Sequence, residues 1–559
     1  MPKASGEQRL QHLATKQGSV HQAFVESARR WPGHDFLCLL PETARKYGIE
    51  ARTYSYAQAA AMVADLGQRY RAAGVQLGQR VGIMLENRPA FFFHWLALNA
   101  LGASVVPINP DWRSAELEYL VGHSEICIAV VPRARVEELR RAGVSAGRSL
   151  VVTTPELAAL ESVAGKGDDA GTAEPGVDTE CALLYTSGTT GRPKGCVLPN
   201  EYFLYAGCWY AQLGGLCCVE PGKERLITPL PMSHMNAMAC STMVMLMTGG
   251  CIIPLDRFHP GSWWEGVRQS RATIVHYLGV MPAMLLGAPG DTRDRTHCVR
   301  FGFGAGVSPR LHASFEQRFG FPLIEAWAMT ETGVAAAVIA NHEPRKIGTA
   351  CFGRAPATLE YRVVDDVGAD AIPGDPGELW VRRAGDSPRF GFFREYLKDP
   401  LATQEAWADG YFHTGDIVSV DADGDFHFID RKKNVIRRSG ENISAVEVEG
   451  VLLQHPDIAG AGVTAVPDEV RGDEVMACVV LRAVPADSDR ERRAREILNF
   501  CLERLAYYKA PGYVTFCSSL PLTPTEKIQR ARLKDLGRSL LAQAGCVDLR
   551  SLKKRSTVG

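Results

Sequence analysis

The sequence predicts an α/β protein. It has a large N-terminal domain of helix-covered, mostly parallel sheets with a small β-rich subdomain, and then a small α+β C-terminal domain. Three observations predict this. The first third alternates helix-period and strand-period segments, the pattern of βαβ units. Residues 355–428 change to short strands separated by Gly, Asp and Pro turns. After Asp430-Arg431-Lys432-Lys433 a compact mixture of helices and strands follows. A chain of 559 residues exceeds what one hydrophobic core organises, so at least two domains are expected.

Each element follows from its own residues. Residues 56–73 space Ala, Met, Leu and Tyr at helical intervals, and 80–84 (RVGIM) is a short strand. Residues 89–101 (PAFFFHWLALNAL) are apolar all round and form a buried helix, whose aromatic residues are core rather than a ligand box. A second strand follows at 103–108 (ASVVPI), and 181–185 (CALLY) is a third, buried one. The stretch 168–179 (DDAGTAEPGVDT) is a surface linker. In the β-rich part, LEYRVVD, GELWVR, GDIVSVD and GDFHFID read as strands. Beyond Lys433 come a helix (445–454), two strands (AGVTAV and VMACVVL), a helix (491–505) and a strand (512–516). The domains are therefore 1–432 and 433–559, and the tail 552–559 is expected to fray.

Bulk composition limits the partners. The chain is 46% hydrophobic and 22% charged, ordinary for a soluble globular protein. With 62 basic and 63 acidic residues the formal net charge is −1, which gives no general attraction to nucleic acid or to anionic membrane. No secretory signal is evident, and the longest apolar stretch, 243–255, is broken by Gly249-Gly250 and is too short to span a bilayer. Fifteen scattered cysteines without a CxxC pair argue against a disulfide framework or a zinc site, and for a reducing cytoplasm.

The most informative run is YTSGTTGRPKG at 185–195. Thr186, Ser187, Thr189 and Thr190 supply hydroxyls, Gly188 lets backbone N–H groups turn inward, and Lys194 adds a full positive charge. The run follows the strand 181–185, so strand, hydroxyl-rich loop and lysine together describe a cradle for nucleotide phosphates. It is not the Walker A pattern. Further along, Gly304-Ala305-Gly306 follows an apolar strand at 299–303. EAWAMTETG (325–333), Thr414-Gly415-Asp416, Asp430-Arg431 and PLTPTEKIQR (521–530) then come in fixed order.

This order resembles the adenylate-forming superfamily of acyl-CoA synthetases, nonribosomal peptide adenylation domains and beetle luciferases, from about residue 54 to about residue 533. The resemblance implies an enzyme that joins a carboxylic acid to CoA at the expense of MgATP. The acid first becomes an acyl-adenylate and is then passed to the thiol. The resemblance also implies site residues. Gly304, Ala305 and Gly306 form the adenine-contacting loop, and Trp327 stacks on the base. Thr330 bonds the α-phosphate, and Glu331 holds Mg²⁺. Read without the resemblance, 325–333 is a helix N-terminus with a Thr cap, which also favours phosphate. Asp416 takes the ribose hydroxyls, and Arg431 reaches ribose or phosphate. Lys433 matches the hinge about which the small domain turns between two catalytic poses. Ser439, Gly440 and Glu441 match the loop that lines the CoA tunnel. Lys527 matches the catalytic lysine, with Glu526 where glycine is usual. His234 matches the gate of the acyl pocket.

The resemblance favours CoA as the acceptor, since Met235 stands where amino-acid-activating domains carry Asp. Ala328, following Trp327, is small where acetyl-specific relatives carry Trp, which implies a longer or bulkier acid. Tyr277, within 276–281, is expected at the same pocket. Residues 434–447 most resemble carnitine/crotonobetaine-type and medium-chain or aryl acid ligases. A homodimer, another acceptor and a non-catalytic nucleotide-binding homologue stay open at this point.

Overall fold

A computed structural model describes residues 16–110, 112, 114–157, 160, 174–186, 193–365, 367–438, 441–468, 472–483, 489–505, 507–522, 527–541, 543 and 545–553. The described chain divides into two compact units. One comprises the chain up to Arg362 together with Trp380–His413 and Asp421–His427, and the other Val363–Leu379, Thr414–Val420 and Phe428 onward. The division falls inside four strands of the β-rich stretch, while the expected boundary lay at 432/433.

The first unit is built on two sheets. The smaller has the order Val151–Thr153, Ile128–Val130, Arg80–Ile83, Ser104–Pro107, Glu180–Thr186, Lys194–Pro199. All its pairings are parallel except the last, a hairpin. The core of the larger sheet runs Leu323–Met329, Phe301–Ala305, Ile274–Leu278, Arg225–Thr228, Cys251–Pro254, Asp35–Leu39, again parallel throughout. Helices Tyr56–Ala72 and Pro89–Ala100 form where helical spacing placed them. Ser55 and Gln58 make a reciprocal cap on the first, and Pro89 opens the second with its preset φ. Trp95 and Phe91 to Phe93 are buried, so the aromatic run is core, as read.

The expected strands of the β-rich stretch also form, as Leu359–Val364, Gly377–Arg383, Phe412–Val420 and Asp425–Arg431. They are not set apart. Asp425–Arg431 pairs with Cys351–Arg354 through Cys351↔His427 and Arg354↔Asp425, which ties the stretch into the larger sheet. The DADGD turn carries Asp421, Asp423 and Asp425 around the Lys346 ammonium at 2.5, 2.7 and 2.9 Å, and this raises the lysine pKa. All fifteen cysteines are free thiols. Among the described residues no helix is long and apolar enough to cross a membrane.

The second unit packs helices Ala445–Leu452 and Arg490–Leu502 on a sheet whose central hairpin is Ile458–Asp468 with Gly472–Leu481. Its core is Ile436, Ile443, Val448, Leu452, Val463, Val475, Ile497 and Val514. Glu449 is buried on the first of these helices. It accepts both arms of Arg530, one at 2.7 Å, and a bond from Val463 N at 2.7 Å. Burial raises the Glu449 pKa, and the Arg530 guanidinium opposes that rise. Removing one partner of such a pair leaves a charge stranded in protein. Glu449→Ala is therefore expected to lower the stability of this unit by about 3 kcal/mol. The loss should be read as a fall in the denaturant midpoint and faster amide exchange around Val463. An unchanged midpoint would show that solvent already screens the pair.

Candidate active site

The phosphate-loop run closes a hairpin. Strands Glu180–Thr186 and Lys194–Pro199 pair antiparallel, with Thr186 opposite Lys194. Ser187, Gly188, Thr189 and Thr190 lie outside the described residues. The two residues that frame them are placed. Thr186 Oγ1 donates to Glu331 Oε1 at 3.4 Å, across 145 residues of sequence. Lys194 Nζ stands 3.9 Å from Asp399 and 4.8 Å from the centre of the Tyr396 ring. Tyr396 OH donates to the same Glu331 oxygen at 3.0 Å. Burial and the neighbouring Glu331 charge raise the Tyr396 pKa, so the phenol keeps its proton and remains a donor. Tyr396 gave no signal in the sequence. It arrives because residues 394–397 run along the Lys194 strand, with Val197 N bonded to Glu395 O and Leu397 N to Gly195 O.

Glu331 and Thr330 sit in a turn and not at a helix start, which corrects one reading of 325–333. Strand Leu323–Met329 turns back into strand Gly333–Ile339, with Trp327 opposite Val338. The apolar GVAAAVI run pairs as a strand, and Gly333 makes the turn at φ +53°, where a Cβ would lie 2.6 Å from the Tyr202 ring. The turn is held from outside: Tyr202 OH donates to Thr330 O at 3.0 Å and Phe393 N to Glu331 O at 2.8 Å. Trp327 is buried beside Phe352, and Ala328 is exposed.

The segment Gly304-Ala305-Gly306 is also placed differently from the expectation. The strand is Phe301–Ala305, two residues later than read, so Gly304 and Ala305 are its last residues and Gly306 begins the loop. Gly304 pairs in parallel with Tyr277 on one side and with Glu325 on the other. A Cβ on Gly304 would stand 2.3 Å from Tyr277 O, which explains the glycine. Tyr277 is buried, and its hydroxyl donates to Glu325 Oε1 at 2.7 Å. Glu325 also accepts from Gly306 N at 2.8 Å and Val307 N at 3.2 Å. Burial raises the Glu325 pKa, and these three bonds oppose the rise.

His234 is exposed at the entry to a wide, π-helical turn, Asn236–Ser241, a form common at functional sites. Behind that turn lies His276, which sequence reading had only inside a lining segment. Its Nδ1 meets Asn236 Oδ1 at 2.7 Å and Ser241 Oγ at 2.8 Å, and its Nε2 meets Tyr210 OH at 3.0 Å. Full burial lowers its pKa to about 3, so the ring is neutral.

In the second unit, Asp416 is buried and its Oδ1 lies 2.7 Å from Arg431 Nε. The TGD turn is fixed by Glu378, which accepts from Gly415 N at 3.1 Å and pairs with Lys432 at 2.7 Å. Asp430 accepts from Ser444 Oγ at 3.0 Å and from Arg431 N at 2.7 Å, which ties the stretch before Lys433 to the start of the following helix. Ser439 and Gly440 lie outside the described residues, as does Glu526; Glu441 begins strand Glu441–Ser444. Lys527 keeps an exposed side chain, yet dense surrounding protein and then the charge of Arg431 lower its ammonium pKa. The bridge Leu522↔Ile528 closes the loop at its base, and Arg530 anchors it to Glu449.

The tight backbone contact here makes a prediction. A Cβ on Gly279 would stand 1.7 Å from Gly306 O. Gly279→Ala is therefore expected to cost about 3 kcal/mol, as overpacking against rigid backbone does. The cost should appear as a fall in Tm together with loss of nucleotide binding. A variant of wild-type Tm with full ATP binding would show that the loop yields freely.

Comparison with known proteins shows the family. Residues 24–397 match the family described as AMP-binding enzyme, and residues 447–527 match the AMP-binding enzyme C-terminal domain. The crotonobetaine/carnitine–CoA ligase of Escherichia fergusonii is 29% identical over 494 residues, covering 86% of this chain and 93% of that protein. The o-succinylbenzoate CoA synthetase of Bacillus subtilis, solved with its acyl-adenylate intermediate, superposes with a TM-score of 0.76 at 23% identity, covering 92% of this chain and 98% of its own. ATP-bound MatB from Rhodopseudomonas palustris gives 0.76 at 24% identity, with the same coverage. The chain belongs to the AMP-binding enzyme family, with both its large and its C-terminal parts present.

Proposed function

We propose that this enzyme is an ATP-dependent acid–CoA ligase whose acid is larger than acetate, of the medium-chain, aryl or carnitine-like kind. The observation that carries this is the convergence of Thr186 and Tyr396 on the carboxylate of Glu331, with the Lys194 ammonium over the Tyr396 ring. Hydroxyls, an ammonium and a buried carboxylate around a phosphate-loop hairpin are what a nucleotide triphosphate and its metal require. The relatives named as crotonobetaine/carnitine–CoA ligase and o-succinylbenzoate CoA synthetase support the acid class. Ala328 is small and exposed, which suits a longer acid.

In the first half-reaction a carboxylate oxygen of the acid attacks the α-phosphorus of ATP, the bond to the β-phosphate oxygen breaks, and pyrophosphate leaves. Thr186, Lys194 and the hydroxyls of Ser187, Thr189 and Thr190 hold the phosphates, and Thr330 orients the α-phosphate. Glu331 would hold Mg²⁺, an ion that takes carboxylate and hydroxyl oxygens readily; bound there, it neutralises charge on the phosphate oxygens. Tyr396, locked as a donor, fixes the rotamer of that carboxylate. Asp416 and Arg431 take the ribose, and Trp327 with Gly304, Ala305 and Gly306 takes the adenine. Lys527 bridges acid and α-phosphate as charge builds. In the second half-reaction the CoA sulfur attacks the acyl carbon, the bond to the AMP oxygen breaks, and the thiol proton is released. Lys433 serves as the pivot, Ser439, Gly440 and Glu441 line the thiol path, and His234 gates the acyl pocket beside Tyr277. Positioning, rather than covalent enzyme chemistry, accounts for the rate. Fifteen free thiols suit a reducing cytoplasm, where such an enzyme would act alone or as a homodimer.

The test is CoA-dependent AMP release over acetate, medium-chain acids, benzoates, cinnamates, crotonobetaine and carnitine. At least one larger acid should exceed acetate by about tenfold or more in kcat/KM, since a methylene in an apolar pocket contributes 1–3 kcal/mol. Pyrophosphate exchange without CoA-dependent release would mean a different acceptor. Lys527→Ala should lower acyl-adenylate formation by about 10²-fold or more and leave thioester formation from supplied acyl-AMP within a few-fold. Equal losses would refute the division of labour. The ammonium is the active form and its pKa is lowered, so adenylation should fall as pH rises, at a pH below the ordinary lysine value. The same alkaline limb in the thioester half-reaction would assign it to another group.

A further inference from the structure

We propose that Glu325 is the positioning residue of the adenine subsite and the reason this enzyme reads the base as adenine. The inference rests on the reading of Gly304, Ala305 and Gly306 as the adenine-contacting segment. Glu325 accepts bonds from Gly306 N at 2.8 Å and Val307 N at 3.2 Å, and from Tyr277 OH at 2.7 Å. Two successive backbone N–H groups converging on one anion form a nest, which would otherwise attract a phosphate. Here the protein's own carboxylate fills it. The segment is thereby withdrawn from phosphate binding: its exposed residues, Ala305 and Gly306, bring no charge, and the N–H groups of Gly306 and Val307 are already taken. With those donors occupied, what the backbone there can still offer a base is an acceptor. It suits a purine edge bearing an amino donor, as adenine has and guanine lacks at the corresponding position.

The same carboxylate ties the segment to the stacking residue. Glu325 and Trp327 are two residues apart on strand Leu323–Met329 and so share a face. Glu325 pairs in register with Gly304 across the parallel ladder. From the other side Gly279 abuts Gly306, where no Cβ fits. The Gly306 turn, at φ +81°, is therefore held between a carboxylate and a backbone. Loss of the carboxylate leaves two amides and a phenol without their acceptor, a cost borne by the loop's geometry rather than by the reacting atoms.

The experiment compares Glu325→Ala, Glu325→Gln and Trp327→Ala in the full chain, with KM for ATP, GTP, acid and CoA measured separately. Glu325→Ala should raise KM for ATP about tenfold or more and shrink the ATP-over-GTP preference. The kcat at saturating ATP should stay within about threefold, and KM for CoA should not move. Glu325→Gln, whose amide oxygen still accepts from Gly306 N, should restore most of the ATP affinity. The inference is overturned if Glu325→Ala leaves KM for ATP and the base preference unchanged. It is equally overturned if KM for all substrates rises together and glutamine rescues nothing. Trp327→Ala separates the two levels. If it leaves KM for ATP unchanged, the base-subsite reading itself is wrong; if it raises KM while Glu325→Ala does not, only the role of Glu325 falls. Should Glu325→Ala fail to fold, Tyr277→Phe removes one of the three bonds and should raise KM for ATP by a few-fold; no rise would count against the proposal.

Discussion

The shared register of three parallel strands is the constraint on which the rest of the first unit depends. Tyr277 and Gly304 are ladder neighbours near the carboxyl ends of Ile274–Leu278 and Phe301–Ala305, and Gly304 pairs in turn with Glu325 within Leu323–Met329. In open α/β sheets ligands bind at these ends, because the chain leaves the sheet there and backbone groups come free. The register also decides the side chains. A Cβ at 304 would strike Tyr277 O, and one at 279 would strike Gly306 O, so glycine is required at both. Close packing of backbone on backbone brings the Glu325 carboxylate against the loop amides; further along the same strand comes Trp327, and the turn after it carries Thr330 and Glu331.

A second kind of constraint is electrostatic. Buried carboxylates recur wherever a site segment must be held: Glu331 by Tyr396 and Thr186, Glu325 by two amides and a phenol, Asp416 by Arg431, Asp430 by Ser444, Glu449 by Arg530. A charge buried without partners is expensive, so each of these fixes its partners with little freedom. In the second unit this logic frames Lys527. The bridge Leu522↔Ile528 and the Arg530–Glu449 pair flank it, and surrounding protein and then the Arg431 charge lower its pKa.

Much of this was legible in the sequence because it is local. The buried helix Pro89–Ala100, the strand before residue 187 and the order of helices and strands from Ala445 onward follow from periodicity, Pro and Gly punctuation, and apolar runs, whereas strands Lys194–Pro199, Val435–Arg438 and Glu441–Ser444 were not read. Two readings moved. The strand before Gly306 extends through Gly304 and Ala305, because glycine beside Tyr277 lets the ladder continue where a loop was expected. Residues 330–331 lie in a strand turn, because the following GVAAAVI run pairs with Leu323–Met329 rather than coiling.

The sequence by itself determined the fold class, the family and the identity of the motif residues, since these rest on residue type and order along the chain. The tertiary structure alone decided which distant residues serve them. Tyr396 reaches Glu331 only because residues 394–397 lie along the Lys194 strand. Glu325 meets Gly306 only through parallel strand register. His276 meets Asn236 and Tyr210 only where a strand, a wide helical turn and a helix pack together. Such partners are set by non-local pairing and burial, and neither leaves a periodic mark in the chain.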